Sequence, residues 1–91
     1  MKATLLKRER IHISDGSFVE VVVWSVPNQV PGSTHGYKYR LAYVVNEVCV
    51  LRYDNEAGKG DHRHKGEAQA PYAFTTLDAL IDDFWNDVTK L

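Results

Sequence analysis

CVLRYDNEAGKGDHRHK, residues 49–65, is the stretch that best indicates how this chain folds and where it could do chemistry. Its first five residues predict a β-strand, and the polar remainder predicts a loop. Gly58 and Gly60 allow the loop to turn sharply or its backbone to approach a ligand. The polar part concentrates groups that can move protons or bind anions: Asp54, Asn55, Lys59, Asp61, His62, Arg63, His64 and Lys65.

The strand that opens this stretch is predicted to be the second arm of a hairpin. Residues 37–45 and 48–54 flank Asn46-Glu47, and Asn46 suits a left-handed turn position. A two-residue turn there pairs Leu41 with Arg52. The open end of the hairpin then brings five polar side chains beside the 56–65 loop: Lys38, Arg40, Arg52, Asp54 and Asn55.

This predicted register also assigns the side chains to the two faces of the hairpin. Arg52 shares one face with Tyr39 and Tyr43, whereas Tyr53 shares the other face with Arg40. The alternating tyrosines of residues 37–43 are expected to form a buried layer. The same alternation also suits a base-stacking platform, which stays open as an alternative.

Two further segments complete the predicted sheet. Residues 3–13 and 18–24 flank Asp15-Gly16, where Gly16 readily takes the positive φ of a tight hairpin turn. The charged first arm suits an edge strand. Residues 70–74 predict a short fifth strand, and Pro71 confines it to an edge or a strand start.

The end of the chain predicts its one clear helix. Thr75 is the predicted N-cap, with Asp78 completing a capping box. A helical apolar stripe follows, and the aspartates, Asp87 included, fall on the remaining surface. We therefore predict one α+β domain over residues 1–91, in which the helix packs on a single antiparallel sheet of four or five strands built from two hairpins. The stripe comprises Leu77, Leu80, Ile81, Phe84, Trp85 and Val88.

Composition limits the classes of function. The formal net charge is −1 and 44% of residues are hydrophobic, so the chain is expected to be globular and total charge gives no argument for a nucleic-acid partner. A single cysteine, Cys49, allows no internal disulfide and is predicted to be a buried apolar group. The N-terminal residues resemble neither a signal peptide nor a membrane span, so a cytoplasmic location without membrane association is expected.

His62-Arg63-His64 carries the most specific chemical signal. In an extended segment, residues i and i+2 point the same way, so both imidazoles can face one substrate. One neutral and one protonated histidine can act as base and acid in RNA cleavage by attack of the 2′-hydroxyl. The alternatives are a solvated polar loop and a metal site in which Asp54 or Asp61 joins the histidines.

The preceding tetrapeptide, Arg52-Tyr53-Asp54-Asn55, can contribute to the same site. Tyr53 can stack on a base or donate a proton, while Arg52 can hold phosphate or pair with Asp54. Phosphate-binding candidates are Arg40, Arg52, Asn55, Lys59, Arg63 and Lys65.

Several segments together resemble the TumE-type toxin family of bacterial toxin–antitoxin modules. These are RERIHISDGSFVEVVVWSVP at residues 8–27 and YKYRLAYVVNEVCVLRYDNEAGKGDHRH at residues 37–64, followed by the short helix. The most specific part is residues 52–55 with His62 and His64. The resemblance implies an intracellular toxin that is neutralised by an antitoxin with a helix-turn-helix DNA-binding domain. It also adds weight to ribonuclease chemistry, because many toxins of this size cleave RNA.

The favoured function is therefore a toxin that cleaves RNA without metal or cofactor. His62 and His64 would be acid and base, with Tyr53 and Asp54 assisting. The main rival is a non-catalytic module that binds RNA, a nucleotide or a protein through the basic sheet end. Further alternatives are a nucleotide-dependent transferase and a structural partner-binding domain. A second copy of the chain is also a candidate partner, in a homodimer.

Overall fold

A computed structural model of the chain describes residues 2–91. Within these residues, six strands form one antiparallel sheet in sequential order, and a single helix follows them. The α+β prediction is confirmed, but four or five strands is wrong because the described sheet has six. The elements are β1 (Thr4–Ser14), β2 (Ser17–Ser25), β3 (Tyr37–Val45), β4 (Val48–Glu56), β5 (Gly60–Lys65), β6 (Ala68–Pro71) and α1 (Leu77–Thr89).

The strand count differs because the polar end of the 49–65 stretch is itself a strand. Strand β5 pairs with β4 along its length, and Gly66 at φ 60° helps to turn the chain into β6. Its side chains carry no apolar alternation, so the residue pattern gave no strand signal, and the backbone hydrogen bonds to β4 hold it in the sheet. The predicted fifth strand at residues 70–74 is displaced to Ala68–Pro71.

A β-bulge changes the predicted register of the β3–β4 hairpin. The turn forms as predicted, with Asn46 at φ 49° and Glu47 at φ 68°. The register then shifts after Val44↔Cys49, so that Tyr43 pairs with Leu51 and the pairing skips Val50. The extra residue moves every later side chain of β4 to the other face. The predicted pairing of Leu41 with Arg52 is therefore wrong.

The bulge determines which β4 residues are buried. Tyr53 is 1% exposed and joins Tyr39 and Leu41 in the core beneath α1. Arg52 and Asp54 lie on the opposite face, which we call the outer face of the sheet. Cys49, near the hairpin turn, is exposed, so its predicted burial is wrong.

The helix covers the core with the predicted apolar stripe. Its N-cap is Thr76, one residue after the predicted Thr75, and the Thr76 hydroxyl accepts a hydrogen bond from the Ala79 N–H at 3.1 Å. Leu80 and Phe84 are fully buried. Asp87, predicted to lie on the exposed surface, is instead 9% exposed and faces the sheet. Within residues 2–91, no helix is both long and apolar enough to cross a membrane.

Candidate functional site

The histidines lie in a small cleft between β4 and β5 on the outer face. Cross-strand pairing places Arg52 opposite His64 and Asp54 opposite His62, so four functional side chains share one patch of sheet. The cleft volume is 180 Å³, below the roughly 300–1,000 Å³ of pockets for drug-sized ligands. It therefore suits a compact group such as a phosphodiester. We call it the histidine cleft, and its lining is Arg52, Asp54, Glu56, Lys59, His62, His64 and Gln69.

The two imidazoles are close enough to serve one substrate group. Their ring centroids are 6.2 Å apart, and the ring planes are inclined by 40°. His62 Nδ1 lies 3.2 Å from the Gly60 carbonyl oxygen. Because a carbonyl oxygen only accepts, Nδ1 carries the proton in this contact and Nε2 of the neutral ring keeps its lone pair. His62 is thus arranged as a proton acceptor.

The Asp54 carboxylate lies between the His64 imidazole and the Arg52 guanidinium. Asp54 Oδ1 is 3.7 Å from His64 Nε2, and Asp54 Oδ2 is 2.9 Å from Arg52 Nε. The Arg52 Nε–H group is buried. It forms no hydrogen bond of acceptable geometry within residues 2–91, although Asp54 Oδ2 lies 2.9 Å away. Asp54 is 8% exposed, and its carboxylate lies between the side chains of Arg52 and His64.

The entrance to the cleft carries a second, exposed ion pair. Lys59 Nζ is 3.4 Å from Glu56 Oε2. The Lys59 hydrogen bond and charge hold the pKa of Glu56 below its ordinary value, so Glu56 is ionised near neutral pH. The two cations of the cleft, Arg52 and Lys59, are therefore balanced by Asp54 and Glu56. A proton on either histidine makes the cleft positive.

Several predicted site residues lie away from the histidine cleft. The bulge places Tyr53 and Asn55 on the helix-facing side of the sheet, where Asn55 is 0% exposed. Arg63 lies on that same side, with Nη1 3.4 Å from Asp87 Oδ2. Lys65, two residues later in β5, shares its face. Arg40 is exposed on the outer face, directly across from Asp54.

The predicted site residues thus lie on two different faces of the sheet. On the outer face it brings together Arg52, Asp54, Lys59, His62 and His64, with Arg40 nearby. It adds Glu56 and Gln69, which residue patterns did not indicate. If residues 60–65 are taken as a strand, alternation places His62 and His64 on one face and Arg63 and Lys65 on the other. The residues themselves gave no sign that this segment pairs as a strand, so Arg63 and Lys65 were predicted to bind phosphate beside the histidines.

Tyr53 is held by a carboxylate beneath the helix. Its hydroxyl donates to Asp87 Oδ2 at 2.5 Å. Burial, followed by this hydrogen bond, raises the pKa of Tyr53 to about 12, although Arg63 acts in the opposite direction. The neutral phenol therefore stabilises the folded chain.

The raised pKa of Tyr53 predicts a loss of stability at alkaline pH. The phenol of the unfolded chain has a pKa of about 10. The contribution of the neutral phenol to folding stability is therefore complete below that pH and is lost as pH rises to about 12. We expect Tyr53→Phe to be less stable than wild type near neutral pH and to lose less stability over this alkaline interval. Urea unfolding at a series of pH values measures both. Parallel stability curves for the two proteins would contradict the assignment.

A second polar cluster, centred on Asp61, joins the 26–36 loop to β5. Asp61 accepts hydrogen bonds from Ser33 Oγ at 2.5 Å and from Tyr39 Oη at 2.7 Å, and it lies 2.7 Å from His35 Nε2. The His35 ring stacks on Phe74 with centroids 3.8 Å apart. The residue pattern does not indicate this cluster, because His35 and Asp61 are 26 residues apart in sequence. Burial and the Asp61 hydrogen bond raise the pKa of Tyr39 well above its ordinary value.

The backbones of Gly32 and Gly60 pack closely together at this junction. We therefore expect alanine to have different effects on stability at Gly58 and at Gly60. Gly58 and Gly60 have φ of 82° and 76°, but a Cβ on Gly58 meets open space and one on Gly60 would lie 2.9 Å from the Gly32 oxygen. We expect Gly58→Ala to cost about 1 kcal/mol of unfolding free energy from backbone strain. Gly60→Ala should cost about 1–3 kcal/mol more because of the overlap. Denaturant titration measures both, and equal losses would contradict the close packing.

No group of three or more His, Cys, Asp or Glu side chains is arranged to hold a metal ion anywhere in residues 2–91.

Comparison with known proteins gives one positive result. No curated protein and no solved structure matches the chain. The model of one family, Toxin TumE, matches residues 2–91, which is nearly the whole length. The chain therefore belongs to the Toxin TumE family.

Proposed function

We propose that this toxin is a metal-independent ribonuclease in which His62 and His64 supply the acid–base chemistry. One observation carries the proposal: two imidazoles with centroids 6.2 Å apart share a 180 Å³ cleft with the Arg52 guanidinium. Paired proton-transfer groups beside a fixed cation are what cleavage of a phosphodiester requires.

We assign a different role to each histidine, with His62 as the base and His64 as the acid. His62 Nε2, left unprotonated when Nδ1 donates to Gly60, takes the proton from a ribose 2′-hydroxyl. The 2′-oxygen attacks the adjacent phosphorus, and the bond from phosphorus to the 5′-oxygen breaks. His64, oriented by Asp54, protonates the departing 5′-oxygen. The products are a 2′,3′-cyclic phosphate and a 5′-hydroxyl.

Arg52 and Lys59 are assigned to the phosphate. Arg52 is fixed by Asp54 at 2.9 Å, and Lys59 stands at the entrance with an exposed side chain. Arg40 would follow the RNA backbone along the outer face. Tyr53, Asn55 and Arg63 face the helix side, so we assign them to the fold rather than to the reaction.

Purified protein incubated with RNA in excess chelator tests this proposal. We expect cleavage to persist, with 2′,3′-cyclic phosphate ends that mass spectrometry of the fragments detects. Cleavage that stops on chelation and returns with added divalent metal would contradict metal independence. Fragments with 5′-phosphate ends would contradict attack by the 2′-hydroxyl.

A second candidate, a non-catalytic RNA-binding module, is favoured by the cations that extend beyond the cleft. Arg8 and Arg10 of β1 and Lys38 and Arg40 of β3 all lie on the outer face, where they can hold a phosphate backbone without chemistry. This candidate predicts saturable binding that weakens as salt concentration rises, with no product formed. A time course with RNA in excess over protein distinguishes it from turnover.

Membership of a toxin family implies an antitoxin partner. We propose an antitoxin with a helix-turn-helix DNA-binding domain and action in the cytoplasm, where RNA substrates are present. Co-expression with the neighbouring gene, followed by copurification, tests the pairing. Size-exclusion chromatography of the toxin alone tests for a homodimer.

A further inference from the structure

A second cavity on the outer face adjoins the histidine cleft. It has a volume of 290 Å³, larger than the cleft, and one wall is the indole of Trp24. Arg52, Asp54 and Glu56 line both cavities, so a ligand in one borders a ligand in the other. We call it the Trp24 pocket, and its lining is Val22, Trp24, Lys38, Tyr39, Arg40, Arg52, Asp54 and Glu56.

The Trp24 side chain supplies the aromatic wall of this pocket and lies among three cationic side chains. It is half-buried on β2, and the Arg8 guanidinium carbon lies 5.9 Å from the centre of its ring. Lys38 is its cross-strand partner, and Arg40 pairs with Val22 two residues before it. The pocket therefore combines an apolar ring surface with donors from Arg40 and from Lys38, whose ammonium gives one N–H to the Asn55 carbonyl oxygen. Its acceptors are the remaining lone pairs of Asp54 and Glu56, which also pair with Arg52 and Lys59.

We propose that the Trp24 pocket binds an unpaired nucleobase of single-stranded RNA, next to the phosphate held in the histidine cleft. This inference rests on the proposed ribonuclease function. A base presents a flat π-face for the indole and an edge of hydrogen-bond donors and acceptors, which matches the two kinds of wall. Since β2 and β4 are two strands apart, about 10 Å separates the strand that carries Trp24 from β4, which forms one side of the cleft. A short stretch of RNA can bridge that distance.

The burial of Tyr53 supports this assignment. Tyr53, the sequence candidate for base stacking, is 1% exposed beneath the helix and cannot receive a base without unfolding. The outer face of β2 carries a second aromatic ring, Phe18, at the far end of the strand. Arg10 lies 4.4 Å from the Phe18 ring centre, so Phe18 resembles Trp24 in its surroundings but is about 20 Å away along β2.

This resemblance provides a matched control for a binding experiment. The probe is a short single-stranded RNA of mixed sequence in which every 2′-hydroxyl is methylated, so that it binds without being cleaved. Its affinity is measured by fluorescence anisotropy for wild type, Trp24→Ala, Trp24→Phe and Phe18→Ala. We expect Trp24→Ala to weaken binding by roughly 5- to 150-fold, the loss associated with one stacked base. Trp24→Phe should retain most of the affinity, and Phe18→Ala should bind as wild type does.

The outcomes separate this inference from the ribonuclease proposal. Binding that depends on Trp24 but no cleavage of unmodified RNA would support the pocket and overturn the ribonuclease. Cleavage that depends on the histidines, with equal affinity of Trp24→Ala and wild type, would overturn the pocket alone. Equal losses in Trp24→Ala and Phe18→Ala, or loss of antitoxin binding with RNA affinity unchanged, would also overturn it. Circular dichroism of each variant identifies any loss of fold, and Trp24→Phe then provides the deciding comparison.

Discussion

Replacement of His62 or His64 by alanine is expected to lower the rate of RNA cleavage by about 10²- to 10⁴-fold, the range that a positioned acid or base contributes. Both side chains are only part-buried on the outer face, and neither contributes to the apolar core. The variants should therefore fold as wild type does. Initial rates on a defined single-stranded RNA, measured in excess chelator, give the effect.

The double variant, His62→Ala with His64→Ala, tests whether the two rings act as one unit. Groups that act together in one step are non-additive, so we expect the double variant to be little slower than the worse single variant. The rate of wild type should rise and fall with pH as a bell, and each single variant should lose one limb.

Another histidine on the same face of the sheet provides the control. His12 is exposed on β1 next to Phe18, with ring centroids 6.2 Å apart, and lies outside the histidine cleft. His12→Ala should cleave RNA at the wild-type rate. Cleavage by the double variant at the wild-type rate would remove both cleft histidines from the mechanism.

The shared orientation of these two histidines could be predicted from the sequence because it depends only on local geometry. Alternation in an extended chain puts residues i and i+2 on one face whether or not the strand is recognised. The apolar stripe of α1 and the turns at Asn46 and Gly16 are likewise encoded within a few residues. Each of these features needs no knowledge of a distant partner.

The features that could not be predicted depend on distant parts of the chain. Nothing in the residues around Val50 signals a bulge, yet the bulge decides which of Arg52 and Tyr53 reaches the outer face. Strand β5 is polar throughout and forms because β4 offers a free edge. The Asp61 cluster combines Ser33, His35 and Tyr39, which are 22 to 28 residues away in sequence.

The bulge has its clearest effect on Asn55. The sequence predicted that this side chain binds phosphate, which requires an outward position. It is instead 0% exposed, and its side chain satisfies three polar groups. The amide oxygen accepts from the Tyr39 N–H at 3.0 Å, and the amide nitrogen donates to the Tyr37 carbonyl at 2.7 Å and to Ser33 Oγ at 3.2 Å. The side chain thus joins β4 to the start of β3 and to the 26–36 loop.

Asn55→Ala is therefore expected to lower the free energy of unfolding by about 3 kcal/mol or more, since each buried polar group left without a partner costs about 1–3 kcal/mol. Urea unfolding followed by circular dichroism measures the loss. Glu56→Ala, at the next position of β4 and exposed, is the control and should change stability by about 0.5 kcal/mol or less. If Asn55→Ala instead weakened RNA binding while the urea midpoint stayed at the wild-type value, the side chain would be a phosphate ligand. The inward orientation that the bulge gives to β4 would then be wrong, and with it the placement of Arg52 and Asp54 in the histidine cleft.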